Sequence, residues 1–183
     1  MTVVEFGIVA PVFFVMLLGA FELGQAIYVR AVLHGAVQAA GRNATLESGA
    51  ANIALIDAEV LTQVSRIAPG GTVQTMRKNY QTFNNVDVPE DFTDSNGNNS
   101  YDAGAECFWD MNGNSTWDAD RAMSGLGGAN DVVVYTSTLT YDRLVPLWKF
   151  MGWSQQAEVS ASTVLRNQPF NAQAMRTGEQ ICP

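Results

Sequence analysis

The chain begins with an unbroken apolar run and ends in alternation. From Phe6 to Phe21 sixteen residues carry no charge, and Glu22 and Gln25 then interrupt a stretch that stays largely apolar to Val29. Wound as a helix at 1.5 Å per residue, Phe6 to Val29 measures roughly 36 Å, more than a hydrocarbon layer of ~30 Å. Residues 1–29 therefore read as a membrane-length helix. No Lys or Arg precedes Arg30, so the basic n-region of a signal peptide is missing, and the run lacks the polar face of an amphipathic core helix. Glu5 opens the run and Glu22 closes it. An unpaired carboxylate in hydrocarbon costs about 3 kcal/mol, so each calls for a partner or a polar level. Glu22 is expected at the far headgroup level beside Tyr28 and Arg30.

The pattern then changes period. Val32, Leu33 and Val37, and later Ile53, Leu55, Ile56, Val60, Leu61, Val64 and Ile67, keep helical spacing across 30–67, with a break at Glu47 to Asn52 and an end before Pro69. From there "GTVQTMRKNYQTF", "DVVVYTSTLTYDRL" and "QAEVSASTVLRN" alternate apolar with polar and are rich in Val, Thr and Tyr, which predicts strands over 70–183. The fold class is α+β: a long apolar helix leading into one head, residues 30–183, whose second helix packs on a small antiparallel sheet. Between the last two strands "VPLWKFMGW" reads as an aromatic-lined turn packed under the sheet, with a subunit-contact patch as the alternative.

One segment, 86–122, fits neither period. "DSNGNNSYD", Asp94 to Asp102, returns sixteen residues later as "DMNGNSTWD", Asp110 to Asp118. Oxygen-bearing side chains recur at loop positions one, three, five and nine: Asp94, Asn96, Asn98 and Asp102, then Asp110, Asn112, Asn114 and Asp118. That is the start of a calcium-loop spacing, to which the carbonyls of Ser100 and Thr116 at position seven can add a ligand. Glu106 and Asp120 stand near enough to complete a shell. The glycine sits at position four rather than six, so the pattern is that of short bacterial surface loops rather than of a helix-flanked hand. The expected cofactor is calcium, two ions, against the plainer reading of solvated Asn-Gly turns. Tyr101 and Trp117, at position eight of each loop, are expected to anchor the loops to the head.

Charge sharpens this picture. Eighteen acids oppose ten bases, and nine of the acids lie between Asp87 and Asp120 with no Lys or Arg among them. Such a segment repels itself unless a cation holds it, and it repels a phosphate backbone, which excludes nucleic acid as a partner. The sole histidine, His34, stands on the helix without a nucleophile motif around it, and no phosphate loop or nucleophile elbow occurs, so no catalytic residues and no enzyme are expected. Cys107 and Cys182 have no metal spacing; they form one disulfide in an exported chain or two buried thiols in a reducing one. Asn43, Asn98 and Asn114 head glycosylation sequons of the kind that loops rich in Asn and Ser produce by chance.

"VVEFGIVAPVFFVMLLGAFELGQAIYVRAVLHGAVQAAGR" resembles the start of a TadE-like pilin, of the tight-adherence branch of the type IV pilus family. The Glu5-Phe6 pair, the "APVFF" run with Pro11 and the "GAFELG" exit carry the likeness. The resemblance implies a structural subunit that assembles through its apolar helix, with Glu5 and Phe6 as assembly residues and Glu5 neutralising a neighbouring subunit's terminal amine. It implies copies of itself or other pilins as partners, together with a prepilin peptidase and the pilus assembly machinery, and a chain whose mature form begins at Met1. Its place is the inner membrane with an extracytoplasmic head, then an extracellular filament at the cell surface. An exported head in turn implies a Cys107–Cys182 bridge. Two roles stay open, a main subunit and a minor one that initiates or caps a filament of another pilin; a membrane-anchored enzyme is the remote third.

Overall fold

The computed structural model describes residues 2–46, 48, 49 and 51–183, without the side chain of Thr2. The start at Met1 and the Glu47 and Ala50 positions of the expected helix break lie outside the described residues. The elements are α1 (Thr2–Ala44), α2 (Ile53–Ser65), β1 (Thr72–Tyr80), β2 (Phe108–Asp110), β3 (Met123–Ser124), β4 (Val132–Asp142), α3 (Trp148–Met151), β5 (Gln156–Arg166) and β6 (Glu179–Ile181). The two long helices precede the strands, as the change of period predicts, and α3 is a single turn between β4 and β5. α1 ends where Thr45 closes it: its amide donates to the Gly41 carbonyl and its hydroxyl to that of Arg42.

The main sheet has the order β3-β1-β4-β5, and β2 pairs with β6 in a separate ribbon. β1 and β3 run antiparallel with Lys78 opposite Ser124. β4 and β5 also oppose each other, since the Arg143 amide donates to Gln155 O and the Thr138 hydroxyl to Ser160 Oγ, two pairs with the same index sum. From Val133 to Tyr141 β4 alternates between buried and half-buried positions, the signature of a strand with one face on a core. β2 and β6 were not legible as strands, being three residues each in polar surroundings.

The chain forms two compact units, Met1–Ala40 with Ala54–Thr75 and Thr136–Ser162, and Gly41–Ile53 with Met76–Tyr135 and Thr163–Pro183. In the first, Val29, Leu33, Ala36, Val37 and Ala40 of α1 are buried, as are Ile56, Val60 and Val64 of α2 and Leu139, Tyr141, Ala157 and Ala161 of the sheet. The helical spacing of these positions makes each helix a stripe turned inward. In the second unit Tyr80, Phe108, Leu126, Val132, Val133 and Tyr135 are buried. Gly41 belongs to that unit and is needed there: a Cβ would stand 2.6 Å from the side chains of Thr163 and Leu165.

One expectation fails. The 145–153 turn does not pack its aromatics under the sheet. Leu147 is buried, but Phe150 is 85% exposed and Met151 and Trp153 about half exposed. The turn is tightened by α3 and by Gly152 in the left-handed region, which closes the single helical turn at Trp148 O and leaves no length for the rings to fold back.

Candidate functional site

Two regions concentrate the residues singled out by sequence. The repeated loops lie in the second unit. In the first loop Asp94 Oδ1 accepts the amides of Gly97 and Asn98, and Oδ2 that of Asn99 at 2.9 Å. Asn96 Oδ1 accepts from the Asn98 amide and Asn98 Oδ1 from that of Ser100. The side-chain amides of Asn96 and Asn98 both donate to Asp102 Oδ2, at 2.6 and 2.9 Å. The second loop repeats this nearly atom for atom: Asp110 takes the amides of Gly113 and Ser115, Asn114 Oδ1 takes the Thr116 amide, and Asn112 and Asn114 donate to Asp118 Oδ2 at 2.7 and 2.6 Å. Each loop turns through two left-handed residues, Gly97 and Asn99 or Gly113 and Ser115, so position six, where the spacing lacks its glycine, still adopts a positive φ. The Asp94 carboxyl is held below its ordinary range, chiefly by the Asn99 amide and then by those of Gly97, Asn98 and Asn96.

A buried glutamate clamps each loop. Glu106, 2% exposed, accepts the amides of Ser95 and Asp102; Glu90, 1% exposed, accepts those of Met111 and Asp118. Glu90 and Glu106 are themselves sixteen residues apart, so the repeat begins upstream of the loops and each loop is clamped by the other repeat's glutamate. Phe92 bridges Phe108 in antiparallel register, flanked by Thr93 N to Cys107 O and Trp109 N to Asp91 O. The two copies thus meet about a local two-fold axis. Tyr101 and Trp117 stack on each other, centroids 5.0 Å apart, with Phe92 and Phe108 edge-on. Position eight therefore ties loop to loop, and Trp117 Nε1 also donates to Glu90 O. Asp120 is engaged elsewhere, by Lys78 Nζ at 2.7 Å and the Tyr80 hydroxyl at 3.1 Å. Cys107 and Cys182 form a disulfide one step beyond the β2–β6 pairing of Phe108 with Ile181, which fastens the second loop to the C-terminal tail. Among the described residues no three of His, Cys, Asp and Glu gather closely enough to hold a metal; what converges in each loop is one carboxylate and two asparagines.

The second region is α1. Its most apolar stretch has a mean hydropathy of 2.3 and only 6% of it is buried, so by length and composition it can cross a membrane. Val3, Phe6, Val12, Met16, Leu23 and Ile27 are all more than three-fifths exposed, and Glu5 is exposed among them. Residues 1–42 match the family model of TadE-like proteins. That span is α1 almost to its end, so the likeness is one of the helix, and the strands and acidic loops fall outside it. Neither the curated proteins nor the solved structures yield a match to the chain.

Glu5 and Phe6 both lie within the TadE-like segment and are exposed. Glu22 does not keep the company expected of it: Tyr28 and Arg30 are exposed, while Glu22, 6% exposed, accepts from Arg143 Nη1 at 2.7 Å through Oε1. Its Oε2 is buried without a hydrogen bond. Arg143 also lies over the Trp153 ring at 5.7 Å. Sequence reasoning missed both clamping partners. Glu90 was findable by extending the repeat upstream; Arg143, 121 positions from Glu22, had no local signal.

Proposed function

We propose that the chain is a structural, pilin-like subunit of a tight-adherence filament, held in the inner membrane by α1 before assembly and exposed at the cell surface afterwards. The observation that carries this reading is an apolar α1 of membrane length, TadE-like over 1–42, whose side chains are left exposed by the rest of its own unit. Burial of that surface against copies of itself or other pilins supplies the association energy, and TadE-like proteins are pilus components rather than enzymes. Glu5 sets register by meeting the terminal amine of a neighbour; a prepilin peptidase and the assembly machinery act on the same helix. A minor role, initiating or capping a filament of another pilin, is the second reading, favoured by the 141 residues (183 − 42) that follow the matched span. Replacing Glu5 by Ala tests the assignment: the chain stays in the membrane fraction but incorporation into filaments falls at least tenfold, and normal incorporation overturns the register role.

Calcium belongs to the same proposal. In both loops two asparagine amides and one aspartate crowd within 2.9 Å, a cluster of groups that can turn oxygens inward once a cation neutralises the carboxylates. Asp94, Asn96, Asn98 and Asp102 hold one ion and Asp110, Asn112, Asn114 and Asp118 the other, while Glu90 and Glu106 brace the backbone. The ions' contribution is structural cross-linking. Chelator lowers the melting temperature of the protein and opens 86–122 to protease; indifference to chelator leaves the loops as hydrogen-bonded turns.

A further inference from the structure

The first unit contains a second apolar surface that the filament reading does not use. The β4–β5 connection, Arg143 to Gln155, packs beside α1 around a cavity of about 250 Å³ lined by Val15, Gly19, Glu22, Leu23, Leu147 and Trp153. Around it Leu144, Phe150, Met151 and Trp153 are exposed, Phe150 to 85%. Four large apolar side chains in ten residues of a surface turn are costly in water. Their level along α1 is fixed by the cavity. A hydrocarbon layer of ~30 Å takes about twenty helical residues, so a span entered near Val3 is left near Leu23, within the Val15 to Ala26 stretch that lines the cavity. The turn therefore sits where the helix leaves the membrane. Its chemistry suits that level: tryptophan at the headgroup boundary, and a cation, Lys149 over Trp148 at 5.2 Å, able to reach phosphates. Glu22, buried at this depth, is screened by Arg143 inside the protein rather than exposed to lipid. We infer that the 144–153 turn is a membrane foot: before assembly Phe150, Met151 and Trp153 enter the outer boundary of the bilayer beside α1 and hold the first unit against the membrane surface.

The inference rests on the membrane-held form proposed above, and its test separates the two. The chain's two cysteines are bonded to each other, so a single introduced cysteine can carry a spin label. Full-length Phe13→Cys and Phe150→Cys, at positions already exposed, are labelled and reconstituted in phosphatidylethanolamine–phosphatidylglycerol vesicles. At both sites collisions with oxygen exceed those with a water-soluble nickel chelate severalfold. A lipid-embedded label at Phe13 with a nickel-accessible one at Phe150 overturns the foot alone. A nickel-accessible label at Phe13 removes the membrane-held form and the foot with it. A label at Phe150 shielded from both probes, with dipolar broadening that disappears on mixing with unlabelled chain, assigns the patch to a second copy and likewise overturns the proposal.

Discussion

The stretch from Val3 to Ile27 and the stretch from Glu90 to Asp118 both lie outside the ordinary alternation of core and surface, and they resolve the problem in opposite ways. The first leaves its demands open: apolar side chains stand in solvent with nothing in the unit to cover them. The second closes its demands on itself, meeting carboxylates with backbone amides, asparagines with aspartates and rings with rings. Apolar surface can be satisfied only by more apolar surface, which a short chain does not have to spare, whereas polar loops carry donors and acceptors in equal supply. Unmet apolar surface is thus the better pointer to a partner. Satisfied polar surface points to structure.

If the acidic segment is self-contained, its largest single support is the disulfide. Cys107 and Cys182 are 75 positions apart, and closing a loop of that length stabilises by about 4 kcal/mol in the chain-entropy account. Cys107→Ser with Cys182→Ser, or reduction, lowers the denaturation midpoint by that order. Urea titration followed by tryptophan emission reads it, and a shift below about 1 kcal/mol would mean the tail holds without the bridge.

The apolar side of the comparison has one polar clasp. Arg143→Ala leaves the Glu22 charge buried and alone, at a cost of about 3 kcal/mol, the lower end for such pairs because the Arg143 side chain is a quarter exposed. Adding Glu22→Gln removes the charge and recovers most of the loss in a thermal melt. No recovery would show that Arg143 acts through its stacking on Trp153 instead.

The clamping glutamates test whether the two loops are equivalent. Glu90→Ala and Glu106→Ala each orphan two amides and cost about 2 kcal/mol apiece, by similar amounts because their bonds match. Asp91→Ala, beside Glu90 but 69% exposed and paired with Arg121, changes stability by less than about 0.5 kcal/mol. Unequal effects of the two glutamates in urea unfolding would break the local symmetry.

How legible these regions were follows from the range of their interactions. The apolar run, the TadE-like pattern, the two helices and the three long strands announce themselves within windows of ten to twenty residues, and so does the loop repeat. Glu90 was half visible, sharing the sixteen-residue offset but lying outside the quoted repeat. The Arg143–Glu22 pair, the β2–β6 ribbon and the exposure of Phe150 were not visible, because each depends on which distant segment arrives beside it. The stacking of Tyr101 on Trp117 belongs with them: the residues are local to their loops, but their meeting is a property of the Phe92–Phe108 bridge.

The smallest effect probes the point where the acidic segment is held by bases instead of by its own amides. Lys78 Nζ and the Tyr80 hydroxyl both donate to Asp120 Oδ2. The Lys78 ammonium is pushed up chiefly by that hydrogen bond, against its partial burial, and the Tyr80 phenol is pushed up chiefly by burial, with Asp120 adding to it. Both shifts favour the protonated form in the folded chain. Their contribution is complete below the unfolded values, about 10 for Tyr and 10.4 for Lys, and is lost as pH rises past them toward the higher folded values. Stability is therefore flat in this respect up to about pH 10 and declines above it. Tyr80→Phe costs about 1 kcal/mol at neutral pH for the lost hydrogen bond and makes the alkaline decline shallower. Lys78→Gln has a weaker effect of the same sign, since the lysine is more exposed than the tyrosine. Tyr141, whose phenol is also raised by burial, adds to any slope left in the double variant. Urea midpoints between pH 8 and 11.5 read all four chains, and a wild-type curve that rises or stays level above pH 10 would contradict the assignment.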